Sequence, residues 1–143
     1  EGQLDLIACY MAGVKNVVAP QGTALTAEHA RILKRYAEEV VLCFDADNAG
    51  QNAAVRSLDS LLEAGLSVRV ATIPAPHDPD SFIKEHGGDA FAKHIQNAES
   101  FFDFYLNRLC VTHDAGSDRG RVAIVAAMRT PLQKARNVVL LDE

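Results

Sequence analysis

Two aspartates, Asp45 and Asp47, stand one residue apart at the end of an apolar run and directly before a helical pattern. The run, 40–44, is apolar at successive positions, which is typical of a strand buried on both faces of a parallel sheet. Ligands of α/β sheets bind at the carboxyl ends of the strands, so both carboxylates can converge there on one hard cation such as Mg²⁺. The spacing therefore predicts a divalent-metal site. The alternative is an ordinary turn in which Asp47 and Asn48 cap the next helix.

Two further acidic segments bear on that choice. Glu1 and Asp5 lie at the start of the sequence, and Asp78 and Asp80 follow the next strand-like run. All three segments stand at predicted strand-to-helix junctions, which share one edge of a parallel sheet. Carboxylates distant in sequence would then meet around one or two cations. For the third segment the alternative is a helix start, with an aspartate as N-cap and Pro79 as an early helical residue.

In this order the motifs resemble the Toprim domain of topoisomerases and primases, and within that superfamily they are most similar to bacterial DnaG-type DNA primases. The resembling segments are 1–7, 21–26, 44–50 and 78–87. The last segment is the most discriminating, because phage-type primase-helicases, gyrases and recombination-mediator proteins look different after their third acidic site.

The resemblance implies a nucleotidyltransferase: a DNA-directed RNA polymerase that makes short RNA primers for DNA replication by two-metal catalysis. It implies Asp45 and Asp47 as principal metal ligands and Glu1 as a ligand or acid–base group. Asp78 and Asp80 would be additional or water-mediated ligands. The expected cofactors are two Mg²⁺ or Mn²⁺ ions, which would also relieve the mutual repulsion of so many carboxylates.

Three other residues receive supporting roles from the resemblance. Asp5 is expected to orient its neighbours rather than to bind metal. Gly22 and Thr23 match a family loop whose backbone N–H groups approach a phosphate, although a plain turn glycine explains this segment almost as well.

Two alternative functions remain open at this stage. One is a Toprim metal-dependent nuclease, in which the same ions activate water instead of a sugar hydroxyl. The other is a non-catalytic Toprim module that binds DNA or serves as a docking platform. The sequence around Asp78, Pro79 and Asp80 favours a primase over a nuclease, and a non-catalytic module would be expected to have lost acidic positions that are all present here.

Helical and strand patterns alternate along the first half of the sequence. They predict helices over 5–12, 27–38 and 51–64, and strands over 16–19, 39–44 and 67–73. Within the third helix, the residues at 54, 58, 61 and 62 recur at helical spacing and are predicted to be core. The fold class is therefore α/β, a Toprim-like parallel sheet flanked by helices.

The pattern becomes wholly helical after residue 96. We predict a Toprim catalytic domain over 1–96 and the start of a partial all-helical subdomain over 97–143. The resemblance implies that a strand precedes Glu1 and that the helical subdomain continues beyond the sequence given. It also implies an upstream basic half of the polymerase and an upstream zinc module, so zinc is expected only outside this chain.

The formal net charge of −5 has the wrong sign for a free-standing nucleic-acid binder. Arg31, Lys34 and Arg35 form a basic cluster that is interpreted as a solvated helix face rather than a phosphate contact. The partners implied by the resemblance are a single-stranded DNA template, nucleoside triphosphates and the RNA–DNA primer hybrid. A replicative helicase and single-strand-binding protein would bind through other parts. The chain alone is expected to make no primers.

Neither the cysteines nor the histidines are spaced as a zinc ligand set. The cysteines, at 9, 43 and 110, are interpreted as reduced, mostly buried thiols, and His77, His86 and His94 as surface residues. No secretory leader is visible, and no apolar run approaches the roughly 18 residues of a membrane span. We therefore expect a cytoplasmic protein without a membrane partner, placed by the resemblance at the replication fork of the bacterial nucleoid.

Overall fold

The computed structural model describes residues 2–20, 24–45 and 48–139, with the side chains at 48–51, 53 and 136–139 excepted. The elements are α1 (Gln3–Met11), α2 (Ala27–Lys34), β1 (Glu39–Asp45), α3 (Asn48–Glu63), β2 (Ser67–Ile73), α4 (Pro79–His86), α5 (Gly88–Gln96), β3 (Glu99–Ser100), α6 (Phe101–Thr112) and α7 (Asp118–Val139). The predicted α/β class is confirmed. No described helix is both long enough and apolar enough to cross a bilayer.

The sheet among the described residues has three strands in the order β1-β2-β3. β1 and β2 run parallel, in a register that begins with Glu39 opposite Ser67 and ends with Asp45 opposite Ile73. The short β3 pairs antiparallel with the start of β2, so the sheet is mixed rather than wholly parallel. Because β1 and β2 end in register, the segments that follow both strands leave the sheet at the same edge.

Side chains of β1 and β2 alternate between two apolar layers, as the pleat of a strand requires. One layer contains Leu42, Val68 and Val70 together with side chains of α2, α3 and α6. The other layer contains Cys43 and Ile73 with side chains of α1, α4 and α5. The sheet therefore lies between two helical layers.

The core prediction for α3 is confirmed. Leu58 exposes 2% and Leu61 none of its surface, and both belong to the layer that also holds Phe101 and Phe104 of α6. Each fully buried leucine of this kind contributes about 1.5–3 kcal/mol relative to an exposed one. The helical segment after residue 96 therefore shares its core with the sheet.

Arg69 crosses the amino-terminal side of the sheet. Its Nη2 donates to Oε1 of Glu39 at 2.8 Å, and its Nη1 donates to the carbonyl oxygens of Gln96 at 3.1 Å and Ala98 at 3.3 Å. The guanidinium thus connects the start of β1, the middle of β2 and the end of α5. Its five N–H donors in a fixed fork suit this task.

Two predicted elements differ from the structure. The predicted strand over 16–19 is not observed: these residues form no ladder, and among the described residues β1 pairs only with β2. The second helix ends at Lys34 rather than near residue 38. Just after Lys34, the N–H groups of Arg35 and Tyr36 donate to carbonyl oxygens three residues earlier in the chain. Such bonds tighten and close a final helical turn.

Candidate metal centre

Asp45 is the last residue of β1, and its side chain is exposed. By the alternation of the strand it follows Cys43 on the face covered by α1, α4 and α5. Its register partner Ile73 ends β2. The structure therefore places Asp45 at the carboxyl edge of the sheet, where the sequence predicts a metal ligand.

Asp5 joins the amino-terminal ends of two helices at this side of the molecule. Its Oδ2 accepts the N–H of Gly2 at 3.3 Å, and its Oδ1 accepts the N–H of Asp80 at 3.3 Å. A carboxylate is favoured at helix amino termini because the unpaired N–H groups carry partial positive charge. This contact is of the kind that the predicted orienting role of Asp5 requires.

Asp78 is the N-cap of α4, with an extended backbone at φ −97° and ψ 174°. Its Oδ1 accepts the N–H of Ser81 at 2.7 Å, and the Oγ of Ser81 accepts the N–H of Asp78 at 3.0 Å. The hydrogen bonds from Ser81 lower the pKa of the Asp78 carboxyl, because they favour its charged form. The capping alternative therefore describes Asp78 correctly, and a carboxylate with two oxygens keeps acceptor capacity beyond one cap bond.

Asp80 lies in the first turn of α4 and faces Lys84 one turn later. Its Oδ2 is 2.5 Å from the Nζ of Lys84, and 29% of its side chain is exposed. The hydrogen bond and the charge of Asp80 raise the pKa of the Lys84 ammonium. A cation that binds Asp80 directly would therefore compete with Lys84.

Of the three cysteines, Cys9 is buried, Cys43 is half-buried and Cys110 is exposed, so the prediction that they are mostly buried holds fully for Cys9 alone. Burial raises the pKa of the Cys43 thiol to about 12. The thiol of Cys9 and the carboxylates of Asp45 and Asp5 add smaller effects in the same direction. A divalent cation would offset the charge of the carboxylates at this edge.

The donor set fits a hard cation, because the described side chains at this edge offer carboxylate oxygens. Within the described ranges, however, no three of these carboxylates approach one another closely enough to form a ready-made ligand group. Four of the predicted site residues, Glu1, Gly22, Thr23 and Asp47, lie outside the described residues. Their assignments stay predictions.

The described residues do contain one compact ligand group, and sequence reasoning missed it. The side chains of His77, Glu85 and His86 bring one ligand atom each within 4.8 Å of one another. The sequence interpretation of His77 and His86 as surface residues agrees with the exposure of His86, whereas His77 is half-buried and the fold brings both beside Glu85. His77 is separated from the other two by eight residues or more, and only the turn before α4 brings it back to them.

The basic cluster on α2 engages its own surroundings. Arg31 forms an ion pair with Glu28 at 3.3 Å, and the Nζ of Lys34 donates to the carbonyl oxygen of Gly65 at 2.8 Å. These contacts agree with the interpretation of a solvated helix face.

Comparison with known proteins gives a consistent set of relatives. A family model described as Toprim-like matches residues 1–83. A DNA primase of Clostridium acetobutylicum is 46% identical over 108 residues, which cover 76% of this chain and 18% of that protein. The chain thus spans less than a fifth of the length of this curated relative.

Solved structures show the same likeness. A DNA primase domain from Pseudomonas aeruginosa superposes with a TM-score of 0.86 at 34% identity, over 99% of this chain and 46% of that one. A DnaG primase catalytic domain bound to single-stranded DNA superposes with a TM-score of 0.85 at 28% identity, over 99% of this chain and 48% of that one.

Proposed function

The chain belongs to the Toprim-like family, and from that membership we propose that it is part of a bacterial DNA primase, a nucleotidyltransferase that synthesises short RNA primers for DNA replication. The observation that carries the proposal is the superposition of 99% of the chain on a primase domain with a TM-score of 0.86. The carboxylates at the edge of the sheet supply the chemistry that such an enzyme needs.

We assign residues 1–96 to the Toprim catalytic domain and 97–143 to the start of a helical subdomain. The Toprim-like match over 1–83 supports the first part. α5, which follows, packs Phe91 into the same layer as Phe82 of α4. The boundary is a division by family pattern, since α6 shares a core with β2.

The metal ligands we propose are Asp45 and Asp47, with Glu1 as a ligand or acid–base group and Asp78 and Asp80 as additional or water-mediated ligands. The exposed position of Asp45 at the strand end supports its role. When bound, two Mg²⁺ or Mn²⁺ ions neutralise charge on the attacking and leaving oxygens of an in-line displacement at a nucleotide α-phosphate.

The described residues prepare this edge in three ways. Asp5 accepts the Asp80 N–H and so fixes the amino end of α4 against α1. Ser81 donates its N–H to Oδ1 of Asp78, which lowers the pKa of that carboxyl and fixes its direction at the start of α4. Lys84 balances the charge of Asp80 until a cation takes its place.

The substrates and partners we propose are nucleoside triphosphates, a single-stranded DNA template and the RNA–DNA primer hybrid, at the replication fork in the bacterial cytoplasm. One structurally similar primase domain is bound to single-stranded DNA. Because this chain carries a net charge of −5, the basic surface that grips the template would lie in other parts of the protein, as would the sites for the helicase and the single-strand-binding protein.

Calorimetric titration with Mn²⁺ tests the metal assignment. Wild-type chain is compared with Asp45→Asn, and with Asp118→Asn as a matched control whose side chain is fully exposed at the start of α7. Folding of each is checked by circular dichroism. We expect the binding heat to be lost in Asp45→Asn and retained in Asp118→Asn. Absence of Mn²⁺ binding by folded wild type, or undiminished binding by Asp45→Asn, would overturn the assignment of Asp45.

Primer synthesis by the full-length protein tests the enzymatic proposal separately. Asp45→Asn is expected to lower template-dependent RNA synthesis on the order of 100-fold or more, because stabilisation of charge in the transition state is lost. Primer synthesis by Asp45→Asn at the wild-type rate would contradict the proposed catalytic role of this site. The 143-residue chain alone is expected to make no primers.

A further inference from the structure

A cluster at the carboxyl-terminal end of α4 combines two imidazoles and a carboxylate. The Nε2 of His77 is 3.4 Å from Oε2 of Glu85, and the Nε2 of His86 is 4.0 Å from Oε1 of Glu85. All three ligand atoms lie within 4.8 Å of one another. We propose that His77, Glu85 and His86 bind one transition-metal dication of the Zn²⁺ class, at a site distinct from the oxygen-donor edge.

The chemistry of the donors selects the metal. Imidazole nitrogen binds Zn²⁺, Ni²⁺, Cu²⁺ and Fe²⁺ well, whereas Mg²⁺ and Ca²⁺ require oxygen ligands. Two histidines and one glutamate form a ligand set of open zinc sites, in which a fourth position is left to water or another ligand. A Mg²⁺-dependent edge and a nitrogen-rich cluster would therefore not compete for the same ion.

One of the distances already fits a bound ion, and the others require the side chains to move closer. Zinc–nitrogen and zinc–oxygen bonds of about 2.0–2.2 Å in a tetrahedron place neighbouring ligand atoms roughly 3.3–3.5 Å apart. The His77–Glu85 separation already has this value. The side chains of Glu85 and His86 are 62% and 43% exposed, so rotation about their side-chain bonds can close the remaining gap without disturbing the core.

The rings of both histidines pack against Phe82. The His77 ring meets Phe82 edge-on at 6.1 Å between centroids, and the His86 ring lies at 4.6 Å. His77 is further fixed by a turn in which its N–H donates to the carbonyl oxygen of Pro74 at 3.0 Å. Only 17% of its side chain is exposed. One ligand is thus held firmly while two can move onto the ion.

The competing explanation is a set of ordinary contacts. His77 lies 3.4 Å from Glu85, while His86 follows Glu85 in the chain and packs on Phe82, one turn earlier in α4. The ring of His86 is also 5.5 Å from that of His77, nearly perpendicular to it. These contacts give the three side chains no common partner, whereas a metal ion would engage all three at once, so the two explanations predict different behaviour in a metal titration.

A bound ion would connect the turn that precedes α4 to the last turn of the same helix. The segment between them carries Asp78 and Asp80. Metal binding is therefore expected to raise the melting temperature and to slow local opening of this segment.

A Co²⁺ titration tests the proposal, with Co²⁺ as a spectroscopic substitute for Zn²⁺. The titration is carried out in saturating Mg²⁺, so that oxygen-donor sites are occupied, and visible d–d absorbance is recorded. We expect intense bands typical of a four-coordinate site in wild type, and displacement of Co²⁺ by Zn²⁺. Glu85→Gln and His86→Ala should weaken Co²⁺ binding at least tenfold, as should His77→Ala.

The matched control is His113→Ala, which removes a histidine at the end of α6 and should bind Co²⁺ as wild type does. If His77→Ala fails to fold by circular dichroism, the exposed Glu85→Gln and His86→Ala variants decide the outcome. Wild type without Co²⁺ bands, or variants with affinities within twofold of wild type, would overturn the site and leave the ion pair as the explanation. Because Mg²⁺ is saturating, either result is independent of the assignment of Asp45.

Discussion

The two ends of α4 offer different ligands and hold them differently. At the amino end, Asp78 and the Asp80 backbone are fixed by hydrogen bonds to Ser81 and Asp5. At the carboxyl end, Glu85 and His86 are exposed and only the rings of the histidines are packed. The first end presents oxygen donors and the second adds nitrogen donors, so one short helix separates two kinds of cation chemistry.

The difference shows that the two termini of a helix fix side chains in different ways before any ion binds. Backbone N–H groups at an amino terminus donate hydrogen bonds to carboxylates and so fix the direction of these side chains. The carboxyl terminus has no such donors to offer, and its side chains depend on packing. Phe82, whose ring contacts both histidines from the middle of α4, supplies that packing.

The largest expected effect comes from removing the Phe82 side chain, because Phe82 packs α4 into the core and also contacts the two histidine rings. Phe82 is buried in the layer that contains Ile73 and Phe91. Phe82→Ala should lower the free energy of unfolding by about 3–5 kcal/mol, since it deletes a buried aromatic ring and leaves a cavity. Urea denaturation followed by circular dichroism measures this. Tyr36→Ala, at a residue that is 84% exposed, is the control and should change stability by less than about 0.5 kcal/mol.

Two substitutions at Asp78 separate its role as N-cap from its proposed role as metal ligand. Asp78→Ala should cost about 1 kcal/mol, because the N-cap acceptor is lost. Asp78→Ser retains a capping oxygen and should keep nearly wild-type stability while losing the carboxylate. Urea denaturation and Mn²⁺ calorimetry on both variants provide the measurement. Equal loss of stability in the two would show that the charge, rather than the cap, matters.

The pH dependence of stability gives a smaller effect at the same residue. Hydrogen bonds from Ser81 hold the folded-state pKa of Asp78 below the ordinary value of 3.8. The unfolded chain therefore binds this proton first as pH falls, so the stabilisation is complete above 3.8 and is lost as pH drops through the folded-state pKa. Acid titration of stability should show a shallower loss in Asp78→Ser than in wild type. Identical acid profiles for the two proteins would contradict a lowered pKa of Asp78 in the folded state.

The smallest expected effect concerns Lys84, the cation that pairs with Asp80. Lys84→Met should leave stability almost unchanged, because the ion pair is exposed. It should tighten Mn²⁺ binding by up to about fivefold, since a competing positive charge is removed. Lys93→Met, in α5, is the matched control. Weaker Mn²⁺ binding in Lys84→Met would indicate that Lys84 positions Asp80 for the ion instead of competing with it.

The sequence predicted those elements whose signals are local. β2 is observed over Ser67–Ile73 as predicted, because a β-branched apolar run bounded by turns is a strand signal in itself. The core face of α3 follows from the spacing of its leucines. The predicted strand over 16–19 failed because pairing depends on a neighbour that local composition does not reveal. β3 was missed because two residues carry no periodicity.

The candidate site was predictable to the same degree. Asp45 was placed correctly at the carboxyl edge because the end of a buried strand is visible in the sequence. That Asp78 would act as an N-cap was visible as an alternative. The contact between Asp5 and Asp80, and the grouping of His77 with Glu85 and His86, depend on how α1 and the turn at Pro74 pack against α4. No rule of residue spacing predicts these contacts between elements.

The hydrogen bonds of Arg69 bear on what happens if the chain is cut at its predicted domain boundary. Cleavage after residue 96 would remove Ala98 and β3, and with them one of the two carbonyl acceptors of the Arg69 guanidinium, whose side chain is only 31% exposed. It would also strip Phe101 and Phe104 from the core beside β2. The first 96 residues would then expose an apolar face, so a protease acting at this boundary should release an aggregating fragment rather than an independent domain.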